Sequence, residues 1–412
     1  MSKKRILVYG INYYPEPIGI PRYTTEMAES FAADGHQVSV ITAAPLYPTW
    51  SKVPGYGYRS YSRGERNGVS IWRVPTYVPR GPGFGQRIIY EILFFFSSLP
   101  LILRHAIAGI DALLIIAPPL ILCSALLLPL RKVRKVAMVK DLQVDIAETL
   151  GIIRSGSLLR FLYGVESFLL DRADVVTGVS SGMVQRLKSK GLRRARCELF
   201  PDWVDDGRLT ETTPAVCSAM RERLGLPVDR FIVGYSGNLA RKQGIELLVE
   251  MARRFQAKGR DDMHFLICGD GPAKPAIENL VRELALGNVT LAPLQPEEDL
   301  PALLSAIDLH VIVQRDEVSD LVMPGKIFNI MACSRSLIIT APVGSSIDRV
   351  LAISGAGVCI PRDEDLLERT IEELSLAPSR REGMARKGRT FVVEHMAKRK
   401  ILDVVFGHIF PD

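Results

Sequence analysis

Short apolar runs, four to eight residues long, recur along the chain and alternate with segments whose apolar positions lie three and four apart. Runs of the first kind fill both faces of a pleated strand and belong in a parallel sheet. Segments of the second kind are the amphipathic helices that cover it. The pattern predicts strands at Arg5–Tyr9, Val38–Ala43, Ser70–Arg73, Ala112–Ile116, Val133–Lys140, Val175–Val179 and Cys197–Phe200. Between the first two, Met27, Ala28, Phe31 and Ala32 mark a helix over Tyr23–Asp34 that Gly35 stops. After the turn-rich stretch Pro201–Pro214 a second series is predicted at Phe231–Ser236, His264–Cys268, Val289–Ala292, Leu309–Val313, Ser336–Ala341 and Gly357–Ile360. Helices at Gly244–Ala257 and Lys274–Leu286 fall within that series. The simplest parse is an α/β chain of two Rossmann-like units in tandem, residues 1–205 and 206–394, with the segment of about 395–412 packing back on the first.

Two segments are apolar enough to raise the question of a bilayer. Ala112–Leu130 runs 19 residues without a charge, but Pro118 and Pro119 interrupt it, so a buried strand, a Pro-Pro loop and a core helix are predicted. Gln86–His105 carries Phe94, Phe95 and Phe96 and is bracketed by Arg87, Arg104 and His105. A partly buried helix and an interfacial helix that dips into lipid headgroups both fit it.

Composition narrows the class. With 412 residues, 47% hydrophobic and 24% charged, the chain is neither disordered nor collagenous. Six scattered cysteines form no C-x-x-C pair and have no histidine at ligand spacing, which excludes a zinc or disulfide framework and fits a reducing cytoplasm. The basic start Met-Ser-Lys-Lys-Arg is followed by an apolar run too short for an export signal. Charge is uneven: residues 1–205 hold 26 Lys and Arg against 16 Asp and Glu, and residues 206–412 hold 26 against 29. A one-sided positive field attracts polyanions. The basic clusters Arg131–Lys135 and Arg193–Arg196 interleave no aromatics and match no groove-reading motif, so an anionic membrane surface or phosphate is favoured and nucleic acid is not expected as a partner.

Candidate chemistry gathers where strands end. The turn from Gly10 to Tyr23 holds Asn12, Tyr13, Gly19 and Arg22, and a glycine between strand and helix lets backbone N–H groups approach an anion. In the second half, Ser236-Gly237-Asn238 ends a strand, and Arg241, Lys242 and Gln243 precede Gly244 at a helix start. Two cations there suit a diphosphate, and a solvated basic turn fits equally well. Gly269, Gly271 and Pro272 follow the next strand. Lys326 and Asn329, three apart on a helix begun by Pro324, share a face from which an amide reaches a ribose or sugar hydroxyl. Asp141 ends a strand, where a helix cap or an ion pair with Lys140 or Arg22 is the plain alternative to catalysis. Asp145 and Glu148 decorate the next helix, and His36 has a structural role in a turn. Asp363-Glu364-Asp365 matches a metal-binding D-x-D pattern but immediately precedes the amphipathic stretch Leu366–Leu374, which favours capping.

Taken in order, these motifs resemble the retaining, GT-B glycosyltransferases of family 4. The set comprises Asn12-Tyr13-Tyr14-Pro15-Glu16-Pro17 with Gly19, a helix ending Gly35-His36-Gln37-Val38, Lys140-Asp141-Leu142-Gln143, Tyr235-Ser236-Gly237-Asn238, Gly269-Asp270-Gly271-Pro272 and Met323-Pro324-Gly325-Lys326. Within the family the chain is most similar to the colanic acid and exopolysaccharide branch, over about residues 5–395.

The resemblance implies two facing Rossmann-like domains, the second binding a nucleotide-sugar donor and the first an acceptor. It implies glycosyl transfer with retention, no cofactor and no obligatory metal. By position, Gly19 would lie against the donor diphosphate and Arg241 and Lys242 would neutralise it as it leaves. Ser236, Gly237, Asn238, Gln243 and Lys326 would border the donor, Gly269, Gly271 and Pro272 the base, and Asn329 the ribose. Asp141 would stand near the reacting sugar, with Asn12, Tyr13 and Arg22 on the acceptor side. Many family members carry Arg in place of Asn238 and Lys in place of Gln243, so the phosphate role passes to Arg241 and Lys242. Leu321 and Asn329 hold the places of a paired-glutamate motif. The expected protein is a cytoplasmic enzyme, peripheral on the inner face of the membrane, that extends a polyprenyl-diphosphate-linked saccharide. A silent scaffold of the same fold and a sugar-nucleotide epimerase or hydrolase are the alternatives.

Overall fold

Eight strands build the first sheet: β1 (Arg5–Tyr9), β2 (Gln37–Thr42), β3 (Ser62–Arg66), β4 (Val69–Arg73), β5 (Ala112–Ala117), β6 (Arg134–Val139), β7 (Val175–Gly178) and β8 (Arg196–Leu199). They lie in the order β3-β4-β2-β1-β5-β6-β7-β8, parallel throughout except for the β3–β4 pair. This computed structural model describes all residues but 1, 17–18, 47–49, 80–83, 131, 150, 152, 154, 241–242, 314–324 and 412. Contacts divide the chain into two units, Met1–Asp202 with Leu402–Asp412, and Trp203–Ile401.

β1 is the centre of the first sheet, paired with β2 through Ile6↔Val38 and with β5 through Ile6↔Ala112. Ile6, Leu7, Val8 and Tyr9 are all buried, as a strand covered on both faces requires. Among the described residues, the α-helices that lie between these strands are α1 (Ile20–Ala33), α2 (Phe84–Ala108), α3 (Gln143–Thr149), α4 (Gly156–Leu170) and α5 (Ser181–Ser189). α1 packs against β2 and β4, whereas α2 and α4 both pack on a 3-10 helix, Leu120–Leu127. The terminal segment joins this unit, with the Phe406 ring stacked on His36 at 4.6 Å and edge-on to Phe31 at 5.5 Å.

Two features differ from the sequence pattern. β3 was not foreseen, because Ser62–Arg66 is polar and exposed apart from partly covered Arg66. It is an edge strand turned onto β4 by Asn67 and Gly68, whose φ values of 47° and 78° are those of a tight hairpin turn. The apolar stretch from Ala112 is β5, the two prolines and then the 3-10 helix in place of an α-helix, with Leu122, Cys123, Ala125 and Leu126 buried.

α2 is long and apolar enough, over Gly85–Ala108, to cross a membrane by length and composition. Its inner side buries Tyr90, Phe94, Ser98 and Ile102, and the Phe94 ring stacks on Tyr9 at 5.5 Å. Its outer side leaves Ile89, Phe96, Leu103 and Ile107 exposed.

The second sheet is parallel and six-stranded: β9 (Phe231–Asn238), β10 (Met263–Asp270), β11 (Val289–Ala292), β12 (Leu309–Ile312), β13 (Leu337–Thr340) and β14 (Gly357–Ile360), in the order β11-β10-β9-β12-β13-β14. One core packs Val233, Phe265 and Val311 against Met251 and Phe255, and another packs Ile312 and Ile339 against Ile327 and Met331. β9 and β10 run two residues further than the apolar pattern indicates, and that extension carries the candidate residues.

Candidate functional site

In the second unit the ends of β9 and β10 pair in register, Cys268 with Ser236, Gly269 with Gly237 and Asp270 with Asn238. Hydrophobicity stops at Cys268, so the pairing beyond it rests on backbone. Glycine is required there: a Cβ on Gly269 would overlap the Gly237 carbonyl oxygen. The chain then folds over this edge, Leu239 N donating to Asp270 O at 2.8 Å and Ala273 N to Leu239 O at 2.9 Å. Gly271 sits in that fold, and Pro272 is exposed beside it.

Lys326 reaches the same edge from the helix Lys326–Ala332. Its Nζ donates to the Tyr235 hydroxyl at 2.7 Å and lies 4.1 Å from the ring centroid, while the hydroxyl donates to Asn238 O at 2.8 Å. Burial pushes the Tyr235 phenol well up, so it stays a neutral hydroxyl beside the ammonium. A Cβ on Gly237 would come 2.7 Å from Lys326 Nζ, so the missing side chain is what lets the cation lie over the strand end. Ser236, Gly237, Asn238, Gly269, Gly271 and Lys326 are thus brought together. Asn329 is half-buried one turn along the Lys326 helix, and Gln243 is half-buried before the helix that starts at Glu246. Arg241 and Lys242 lie outside the described residues, as do Leu321, Met323 and Pro324. A bare backbone edge beside a fixed ammonium is suited to an anionic group.

In the first unit the turn after β1 is held by Glu16, which is 5% exposed. Its carboxylate accepts from Asn12 Nδ2 at 2.8 Å and from Leu46 N at 2.9 Å. Tyr13 is buried, and the Tyr14 carbonyl accepts from Arg73 Nη2 at 2.7 Å. Gly19 precedes α1 with φ 77°, and Arg22 pairs with Glu26 at 2.8 Å. Asp141 follows β6 and lines a small hollow with Pro118, Leu120 and Gln143. Its neighbour Lys140 pairs with Asp202 at 2.9 Å and lies 4.7 Å from the Phe200 ring.

Asp145 is not a surface decoration of α3. It is 3% exposed, accepting from Arg186 Nε at 2.5 Å and Lys190 Nζ at 2.6 Å. Lys190 also donates to Glu166 at 2.5 Å. Burial pushes the Glu166 carboxyl up, against the pull of the Lys190 ammonium. Sequence reading missed this cluster because its bonded partners lie 24 to 45 residues apart. The D-x-D carboxylates are also engaged: Asp363 Oδ1 accepts from Leu366 N at 2.7 Å as a helix cap, and Asp365 pairs with Arg254 at 2.6 Å. No cluster of metal-ligating side chains occurs among the described residues.

Residues 19–203 match the glycosyl transferase 4-like domain and residues 218–391 the glycosyl transferases group 1. Over 386 residues the chain is 34% identical to a putative colanic acid biosynthesis glycosyl transferase, WcaI, of Escherichia coli K12, covering 91% of this chain and 93% of that one. The chain belongs to the group 1 glycosyltransferases. The fold of this glycosyltransferase is GT-B, as in its structural neighbours. One is sucrose-phosphate synthase of Thermosynechococcus elongatus, at a TM-score of 0.76 and 19% identity over 99% of this chain and 98% of that one. Another is HepE of Anabaena in complex with UDP-glucose, at a TM-score of 0.70 and 15% identity over 98% and 99%. In this glycosyltransferase the extended ends of β9 and β10, Gly237–Asn238 and Gly269–Asp270, both fall within the residues that match the group 1 domain.

Proposed function

We propose that this glycosyltransferase moves a sugar from a nucleotide diphosphate donor, a UDP- or GDP-sugar, to a polyprenyl-diphosphate-linked saccharide, with retention at the anomeric carbon, in the assembly of a surface polysaccharide. The observation that carries the reading is the edge of β9 and β10, where Gly237 and Gly269 present bare backbone beside the Lys326 ammonium. In this reading the donor diphosphate lies along that edge. Lys326, with Arg241 and Lys242, stabilises the negative charge that grows on it as the glycosidic bond breaks. The base lies by Gly271 and Pro272 and the ribose by Asn329. Asp141 serves the reacting sugar, and Asn12, Tyr13 and Arg22 serve the acceptor. Supporting this, HepE, of the same fold, was crystallised with UDP-glucose, and WcaI bears the name of a polysaccharide-building enzyme.

The reaction proceeds without an obligatory metal, since side-chain cations on the donor side do the work of a divalent ion and the D-x-D carboxylates cap and brace a helix. The enzyme works in the cytoplasm, peripherally on the inner face of the membrane, where the basic first half meets anionic lipid. Calorimetric titration with UDP, GDP and ADP in the presence of a chelator tests the donor site: one nucleotide binds in preference. Acceptor-dependent release of that nucleotide then tests transfer. Absence of binding to all three removes the donor assignment, and release without acceptor points to hydrolysis.

A further inference from the structure

We infer that the first unit meets the bilayer through two helices, α4 lying in the headgroup region beside α2, so that one chosen side of the first sheet faces the lipid. The inference rests on the membrane reading above and adds a contact that the apolar pattern of the chain did not single out.

α4 has two unlike sides. Glu166, Leu169 and Leu170 are buried, and the Lys190–Glu166 pair ties that side to α5's C-terminal end. On the other side Leu158, Phe161 and Phe168 are 45%, 65% and 51% exposed. Their spacing of three and seven residues places them in one stripe along the helix. The α2 stripe has the same character, since Ile89, Phe96, Leu103 and Ile107 fall on one side at 50%, 61%, 43% and 88% exposure. Both helices pack on the 3-10 helix Leu120–Leu127, so the stripes belong to one layer, and Leu127 at the end of that 3-10 helix is itself 49% exposed. Single exposed apolar residues are ordinary, but three neighbouring elements that each turn apolar side chains outward mark an interaction surface.

Charge selects the occupant. Residues 84–196, from α2 through α5 to β8, hold 16 Lys and Arg against 8 Asp and Glu. Cations sit beside the apolar stripes: the Arg172 guanidinium is 4.7 Å from the Phe168 ring, and Arg104 and Arg63 flank the Trp72 ring at 5.0 and 4.9 Å. Apolar stripes rimmed by arginine and a partly buried tryptophan match an anionic bilayer interface, with acyl chains beneath and phosphates around. A second copy of this face would bring like charge against like charge.

The test uses the full chain and flotation with vesicles of phosphatidylcholine, with and without phosphatidylglycerol. Wild type floats with the anionic vesicles at low salt. Phe161→Ser/Phe168→Ser on α4 and Phe96→Ser/Ile107→Ser on α2 each weaken flotation about tenfold, and the four together abolish it, with nucleotide binding and melting temperature unchanged. Loss of binding in the α2 variant alone, with the α4 variant floating like wild type, overturns the two-helix inference and leaves the membrane reading standing. A wild type that never floats overturns both. A wild type that sediments as a dimer without lipid, and becomes a monomer on Phe161→Ser/Phe168→Ser, assigns α4 to self-association and overturns the inference.

Discussion

Gly269 faces the Gly237 carbonyl across the β9–β10 register with no room for a methyl group between them. The contact is backbone to side-chain position, so relief requires the strand ends to separate. Gly269→Ala is expected to lower the stability of the protein by about 1–3 kcal/mol, the usual cost of overpacking. Because the same strand ends form the proposed donor edge, nucleotide affinity falls with it. Urea midpoints and UDP or GDP titrations on the variant check both, and an unchanged midpoint contradicts the packing argument.

Lys326 affects binding more than folding in this account. It is a partly exposed cation on a helix whose neighbours Ile327 and Phe328 supply the packing. Lys326→Met removes the ammonium over Gly237 and is expected to weaken nucleoside diphosphate binding by about 1.5–3 kcal/mol, the range for a hydrogen bond to a charged group. Lys326→Arg restores part of it. Tyr235→Phe, which removes the hydroxyl that receives Lys326 and holds Asn238 O, costs about 0.5–1.5 kcal/mol. Calorimetry on the three variants, with melting curves as the folding control, checks the ranking. Equal affinity in Lys326→Met and wild type removes Lys326 from the donor site.

The buried cluster under α3 behaves in the opposite way. Lys190 is the cation shared by Asp145 and Glu166, and all three side chains are no more than 5% exposed. Lys190→Met leaves buried carboxylates short of a counter-charge and is expected to destabilise by about 3–5 kcal/mol. Lys190→Met with Glu166→Gln recovers part of this, because the group whose carboxyl burial already pushes up no longer ionises. Denaturation of the single and double variants measures the recovery, and a double variant no better than the single one shows that charge is not the cause.

How far these relationships were legible beforehand follows from their range. The strand series was readable because each buried parallel strand is a local apolar run, and of the first sheet only β3 escaped, being polar and at the edge. Asp363 was readable as a cap because its partner is three residues away. Lys326 and Tyr235 are 91 residues apart and Asp145 and Lys190 are 45 apart, so topology alone unites them and no periodicity announces them. Asp145 looked like a solvated helix residue for the same reason. The outward apolar side of α4 was hidden differently: Leu158, Phe161 and Phe168 interleave with inward Leu169 and Leu170, and only burial separates the two sets.

Two histidines give the second unit a pH dependence whose sign is fixed by burial. His264 on β10 and His310 on β12 are 6% and 1% exposed, and burial lowers each from an ordinary 6.5 to about 4. His310 holds Leu304 O at 3.0 Å through Nε2, and His264 holds Thr290 Oγ1 at 2.8 Å. In the unfolded chain each takes up a proton near its ordinary value, which the folded protein refuses. Stability is therefore complete above about pH 6.5 and drains away as pH falls toward 4, by roughly 1.4 kcal/mol per pH unit for each histidine within that window. His310→Gln keeps an N–H for the Leu304 carbonyl without a titrating ring, so it is expected to remove about half of the slope these two residues supply. Urea midpoints taken from neutral pH down through the window decide the matter. A flat profile, or a slope the same in His310→Gln as in wild type, shows that the imidazole does not carry the effect, whereas a halved slope ties the acid sensitivity of the second unit to β12, which pairs with β9.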